Sequence, residues 1–258
     1  MGTSIDKVSQ GLCADGAETL REVCGKAEVM AVTDQLFILL QINDAAFPIG
    51  AYAHSYGLET YIQEGLVKTA QDAADYLEQN LKASFLYSEL LAAKLAHEAA
   101  SRREVDELAR LEEALFASKV PCEIRQASQK LGVRFVKTAG LLLVSDTVFS
   151  EYIASHKDAK TSHAVAYGVF TSAAGLRAAD SLAAFLYAQA AAMVTCCVKT
   201  IPLSQTDGQR MLSGARRFFP QILEALEGLG RDDLCRSCPG LEIRAMRHEN
   251  LYSRLYMS

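Results

Sequence analysis

Apolar residues along this chain recur three and four positions apart in segment after segment, and polar caps and chain breakers separate the segments. The first 33 residues lack this period. Gly2, Gly11, Gly16 and Gly25 interrupt it, which predicts a mobile or loosely docked leader ahead of a folded unit spanning 34–258. A short helix is expected from Asp34 to Ile42. Asn43-Asp44 and Phe47-Pro48-Ile49-Gly50 then break it, because the residue before proline avoids the helical region and glycine permits a turn. A second short helix should begin at His54.

Thr69 and Asp72 have capping-box spacing, and Leu77, Leu81 and Phe85 follow four apart, so a long helix is predicted to about His97. Ser101 with Glu104 repeats the signal before a Leu108, Leu111, Leu115 stripe. Pro121 suits a first helical turn, and Ile124, Leu131 and Phe135 carry the helix after it. Ala173 to Val198 is the most apolar stretch, with Leu182, Phe185, Leu186 and Met193 at helical spacing and alanines around them. A helix apolar on every side is buried, so this one is expected to be the central helix or a subunit contact. Pro202 ends it, Ser204 and Asp207 open another helix, and Phe218-Phe219-Pro220 interrupts that one. No alternating β-branched run flanked by hairpin turns occurs. The pattern predicts an all-α, single-domain helical bundle.

Composition narrows the function classes. With 258 residues, half of them apolar, the chain can bury one large core. Its formal net charge of -5 provides no basic field for nucleic acid. No basic and apolar N-terminal pattern marks secretion, and the apolar residues are not gathered into an unbroken membrane-length run. Seven cysteines, including adjacent Cys196-Cys197, read as reduced thiols in a cytoplasmic protein.

Catalytic signatures are absent from the sequence. Lys68-Thr69, Lys137-Thr138 and Lys199-Thr200 occur, but none follows a glycine in a phosphate-binding loop. No Glu precedes a His by three residues, and no G-x-S-x-G elbow places a serine for attack. One spacing suggests metal or redox chemistry: Cys235-Arg236-Ser237-Cys238, with His248 as a further ligand. A single C-x-x-C needs two more donors, and the simpler account is free thiols ahead of a Pro239-Gly240 turn.

The terminus His248-Glu249-Asn250-Leu251-Tyr252-Ser253-Arg254-Leu255-Tyr256-Met257-Ser258 gathers side chains enriched in interface cores, which suggests a docking segment. Two other stretches stand out. One is Asp44-Ala45-Ala46-Phe47-Pro48-Ile49-Gly50-Ala51-Tyr52-Ala53-His54-Ser55-Tyr56-Gly57-Leu58-Glu59, and the other runs from Lys199-Thr200-Ile201-Pro202-Leu203-Ser204-Gln205-Thr206-Asp207-Gly208 to Gln209. Together with the terminus, in this order, they resemble the three landmarks of the urease accessory protein F family, a likeness that runs from about Asp34 to the end.

The resemblance implies a helical, non-enzymatic and usually dimeric protein. Such a protein bridges accessory protein D (H in some systems) to the GTPase accessory protein G, and the assembly loads nickel into apo-urease. Nickel and GTP are then handled by the assembled complex, with no cofactor bound by this chain itself. That division agrees with the missing phosphate loop. Tyr52, which alternates with small alanines, is a partner-facing candidate, as are Lys199, Ser204, Gln205 and Asp207, although these four could instead only end one helix and cap the next. His54 is a partner contact, a nickel ligand or a structural histidine that caps its helix. Tyr252, Arg254 and Tyr256 are expected to meet accessory protein D, the alternative being a tail folded back on its own chain. Tyr187 is the candidate dimer contact, the alternative being a core position.

Overall fold

The computed structural model describes residues 34–143, 147–156 and 160–258. The leader read over 1–33 lies outside the described residues. All regular elements among the described residues are helices, in agreement with the all-α reading. Helix α1 covers 34–43. It is fastened to the interior by Asn43 Nδ2, which donates to the Tyr167 hydroxyl at 3.0 Å, and that hydroxyl donates to the Ser181 carbonyl at 2.8 Å.

Helix α2 is Leu58–Gln63 and α3 is Ala70–Asn80. The helix expected from His54 begins four residues later. Tyr56 at φ 53° and Gly57 at φ 87° are left-handed, and no right-handed helix passes through them. The Thr69–Asp72 capping box is present in both directions. From α3 the chain continues without a break through a π-helical stretch, Leu81–Leu90, into α4, Leu91–Ser101. Ser101 is therefore the last residue of α4, its hydroxyl bonded to the Glu98 carbonyl, and not a cap for the next helix. Helix α5, Val105–Ser118, starts after Glu104 without a side-chain cap, and its Leu108, Leu111 and Leu115 are buried as expected. Pro121 stands one position outside α6, Cys122–Ala139.

After α7, Val148–Ser155, comes α8, His163–Ala173, an element the periodicity did not reveal. It is the true central helix, with every residue from Ala164 to Thr171 buried. A helix buried on all faces has no polar side to mark its period. Its nearest neighbour is α4, whose Ala92, Ala93, Ala96, Ala99 and Ala100 are buried. The approach is so close at Gly168 that a methyl group there would overlap the Ala93 carbonyl and come within 2.9 Å of the Ala96 methyl.

The apolar stretch read from Ala173 begins instead at Ala178, because Gly175 turns the chain at φ 69°. Helix α9, Ala178–Thr200, is long and apolar enough to cross a membrane, but half of its apolar window is buried inside the fold. Phe185 and Tyr167 stack there with centroids 4.5 Å apart. Helices α10, Gln205–Ala215, and α11, Phe219–Glu227, follow, separated at the predicted Phe218-Phe219-Pro220 step. Helix α12, Pro239–Arg247, returns the chain to α2.

One buried carboxyl fixes the start of α8. Both Glu112 oxygens accept from the Ser162 N–H at 2.9 Å, and one also accepts from the Tyr152 hydroxyl at 2.5 Å. Burial pushes the Glu112 carboxyl up to about 7, in spite of these hydrogen bonds.

Candidate functional site

Residues distant in sequence meet where the C-terminal segment crosses the loop before α2. The Met257 N–H donates to the Ala53 carbonyl at 2.8 Å, and the main-chain oxygen of Ser258 accepts from the Ser55 N–H at 2.6 Å and the Tyr56 N–H at 3.0 Å. The Ser55 hydroxyl donates to that same oxygen at 2.8 Å. Gly57 makes this arc possible. Besides its positive φ, a Cβ there would lie 3.1–3.2 Å from the Ala245 backbone of α12.

Glu59, in the first turn of α2, ties the segment from beneath. Its carboxylate accepts from the Leu255 N–H at 2.8 Å and the Tyr256 N–H at 3.0 Å, and His248 Nε2 lies 2.9 Å from it. The other ring nitrogen of His248 lies 2.6 Å from Glu123, whose second oxygen accepts from Arg254 at 2.6 Å. With a carboxylate at each nitrogen, the fully buried His248 ring is committed on both edges. Gln63 adds a hydrogen bond of 2.8 Å to the Ser253 carbonyl.

This clamp divides the tail into two faces. Tyr256 points inward, only 7 % exposed, and its hydroxyl lies beside the Cys196 thiol of α9. Arg254 is engaged with Glu123. Outward stand Tyr252, fully exposed, Leu255 at 73 % and Met257 at 55 %, with Tyr52 beyond the Ala53–Met257 pairing at 70 %. Glu59, Thr200, Ser253, Arg254 and Leu255 line one surface cleft, so all three sequence landmarks reach the same place.

His54 is buried, and its Nδ1 lies 2.8 Å from the Ser258 hydroxyl. Burial lowers its pKa to about 4, and the positive Lys130 and Arg134 lower it further against the opposing effect of Glu123, so at neutral pH the ring is uncharged. It sits in extended backbone and caps no helix N-terminus. Ser204 and Asp207 form the reciprocal cap of α10: Ser204 Oγ accepts from the Asp207 N–H at 3.1 Å, and the Asp207 carboxylate accepts from the Ser204 N–H at 3.2 Å. Lys199 and Gln205 are exposed beside this cap. Tyr187 is half exposed at the middle of α9.

Cys235, Cys238 and His248 are not brought together. Cys235 Sγ points at the Ala114 carbonyl, 3.7 Å away, Cys238 stands at the start of α12, and His248 is held by its two glutamates. No cluster of three or more His, Cys, Asp or Glu residues suited to a metal occurs among the described residues.

The residues that organise the site, Glu59, Glu123, Ser55 and Ser258, were not singled out from the sequence. Ser55 and Glu59 stand in the first landmark and Ser258 in the third, but nothing local in the sequence marks their contacts, and only the fold shows Glu59 buried between Leu58 and Thr60. The arrangement presents no activated nucleophile. Its chemistry is that of a displayed apolar surface with a polar underside.

A sequence model described as UreF matches residues 67–216 of the chain. The urease accessory protein UreF of Bacillus sp. (strain TB-90) is 33 % identical over 227 residues, which is 87 % of this chain and the whole of the relative. The protein of the same name from Actinobacillus pleuropneumoniae serotype 5b (strain L20) is 35 % identical over 87 % of this chain and 99 % of its own length. That of Haemophilus influenzae (strain PittGG) is 36 % identical over 88 % of this chain and 97 % of its own length.

Proposed function

We propose, from the premise that this chain belongs to the UreF family of urease accessory proteins, that it is a non-catalytic, dimeric scaffold that bridges accessory protein D/H and the GTPase accessory protein G. A role in urease maturation follows from the family. The bridging, and the GTP-dependent loading of nickel into apo-urease that it serves, are our reading of the surface.

The single observation that supports the reading best is the two-faced C-terminal segment. Its backbone and inner side chains are occupied by Glu59, Ser55, Tyr56 and Glu123, which leaves Tyr252, Leu255 and Met257 free to meet another protein. Aromatic side chains and methionine are enriched at interface cores because they contribute large contact area without charge. We take this strip, with Tyr52, as the contact for accessory protein D/H. Arg254 braces it from the surface through its ion pair with Glu123, Tyr256 anchors it by its burial, and His54 holds Ser258 in place.

Lys199, in the last turn of α9, and Gln205, the first residue of α10 after its Ser204–Asp207 cap, form a second partner-facing surface, and Tyr187 is the dimer contact. Nickel and GTP are handled by the assembled cytoplasmic complex, with hydrolysis in the partner GTPase. Residues 34–258 are the working unit, and the leader is dispensable.

The test is co-expression with the cognate accessory protein D, comparing the full chain with one that stops after Arg247, by size-exclusion chromatography with light scattering. The reading expects a stable complex with the full chain and none with the shortened one.

A further inference from the structure

A pocket opens behind the docking strip, between the π-helical stretch and the loop that carries Cys235. About 230 Å³ of open space runs inward from exposed Val120, Arg236 and Ser237 to Leu131, His163 and Phe185. Protein interiors hold few voids larger than a water molecule, and a cavity of about 150 Å³ already accepts benzene. The π-helical stretch contributes Ser84, Phe85, Ser88 and Glu89 to the wall. π-helical turns are rare and concentrate at functional sites.

The charges on the wall are matched to partners within the chain. Lys119 is paired with Glu89, which also accepts from the Ser88 hydroxyl. Over a quarter of the Glu89 side chain nevertheless remains open to the pocket, deep in the fold. Burial would raise its carboxyl, and the Lys119 ammonium with Ser88 outweighs that and leaves it below its ordinary value. Arg236 is paired with Asp233 and lies over the Tyr87 ring at 4.3 Å, and Glu242 accepts from the Ser237 hydroxyl at 3.0 Å and the Cys238 N–H at 2.8 Å. A charged ligand would have to break one of these arrangements.

The groups left over are neutral. His163 Nε2 is buried without a hydrogen-bond partner among the described residues. Burial lowers the His163 pKa to about 4, so at neutral pH the ring offers one donor and one acceptor. The Tyr56 phenol is held above its usual pKa by burial and by Glu89, and Ser128 and Gln189 add a hydroxyl and an amide to the wall. Phe85, Phe185, Met193 and Leu131 supply the apolar part. A purely apolar guest would leave the polar side unmatched.

We propose that this pocket is a binding site for a small uncharged ring compound that carries both a hydrogen-bond donor and an acceptor. The site lies behind the docking strip, which it adjoins through Tyr56 and Ala245, at the junction of the π-helical stretch, α6, α9 and α12.

Benzamide, an uncharged ring with one amide, is the probe, and benzoate and toluene are controls of similar size. Each is added to the full-length protein and followed by saturation-transfer NMR and thermal unfolding. Benzamide is expected to receive saturation and to raise the melting temperature, and benzoate and toluene to do neither. Ser128→Leu, which fills the space from α6, should abolish the benzamide response. Gln189→Leu, on the partly exposed side of α9, should weaken it about tenfold, the effect of one hydrogen bond, and keeps the test usable if Ser128→Leu does not fold. No response to benzamide, an equal response to all three probes, or an undiminished response in Gln189→Leu would overturn the site. The probe responses are read on this protein alone and co-elution is read without a probe, so the two readings fail separately.

Discussion

Glu59 and His248 stand 189 positions apart in the chain and 2.9 Å apart in space, and the C-terminal segment is laid over the pair. The same carboxylate that meets the imidazole also accepts two backbone N–H groups of the tail. One side chain in the first turn of α2 thus sets the path of residues that come almost at the end of the sequence.

Glu59→Ala should release the tail. It removes the acceptor of the Leu255 and Tyr256 N–H groups and one partner of His248, and each buried polar group left unpaired costs about 1–3 kcal/mol. Thermal unfolding should report a loss of about 2–4 kcal/mol. Amide exchange should speed up over residues 253–258 far more than in α8. Unchanged exchange in the tail would refute the role given to Glu59.

The α4–α8 contact should tolerate no added methyl. Gly168→Ala forces a Cβ into the Ala93 carbonyl, and overpacking of this kind costs about 1–3 kcal/mol. A melting temperature equal to that of the parent chain would mean that the two helices can separate without loss.

The pH dependence of stability should have two opposing contributions. Glu112 titrates near 4.5 when unfolded and near 7 in the fold, so the native state holds the extra proton. Its contribution is complete below about pH 4.5 and is lost as pH rises through about 7, an effect of up to about 3 kcal/mol. His54 and His163 are lowered from 6.5 to about 4, so their neutral native forms favour folding at high pH, and that contribution fades as pH falls from about 6.5 toward 4. Comparing melting temperatures at pH 5 and pH 8, the parent chain should lose more stability at pH 8, relative to pH 5, than Glu112→Gln does. Parallel pH profiles would contradict the assignment.

Tyr187→Glu tests the proposed dimer. The ring is half exposed in the single chain, so the change should cost the monomer fold less than about 0.5 kcal/mol. Light scattering should show the mass of one chain in place of two. A variant that remains dimeric moves the contact elsewhere.

The parts of this fold that were legible in the sequence are those set by short-range chemistry. The Thr69–Asp72 and Ser204–Asp207 caps, the break at Pro48 to Gly50, the Leu108, Leu111, Leu115 stripe and the Phe218-Phe219-Pro220 step each depend on neighbours within a few positions. Helix α8 was not legible because Ala, Val, Gly and Phe on all its faces leave no polar side from which to read a period. The delayed start of α2 follows from the left-handed Tyr56, a residue type that rarely adopts that conformation. The C-terminal strip was recognisable by composition. Which of its side chains face inward was not, because that depends on Glu59, Glu123 and Ser55, all at least 125 positions earlier.

The claim that the outward face of the tail docks accessory protein D is tested most directly by Tyr252→Asp, since Tyr252 is fully exposed and its loss should leave the Glu59 clamp intact. The variant and the parent chain are each co-expressed with cognate accessory protein D and resolved by size-exclusion chromatography with light scattering. The account predicts that the parent elutes as a complex of two copies of each protein and that Tyr252→Asp elutes as a folded dimer without the partner. Co-elution of Tyr252→Asp with undiminished yield, or elution of the parent chain alone, would contradict it.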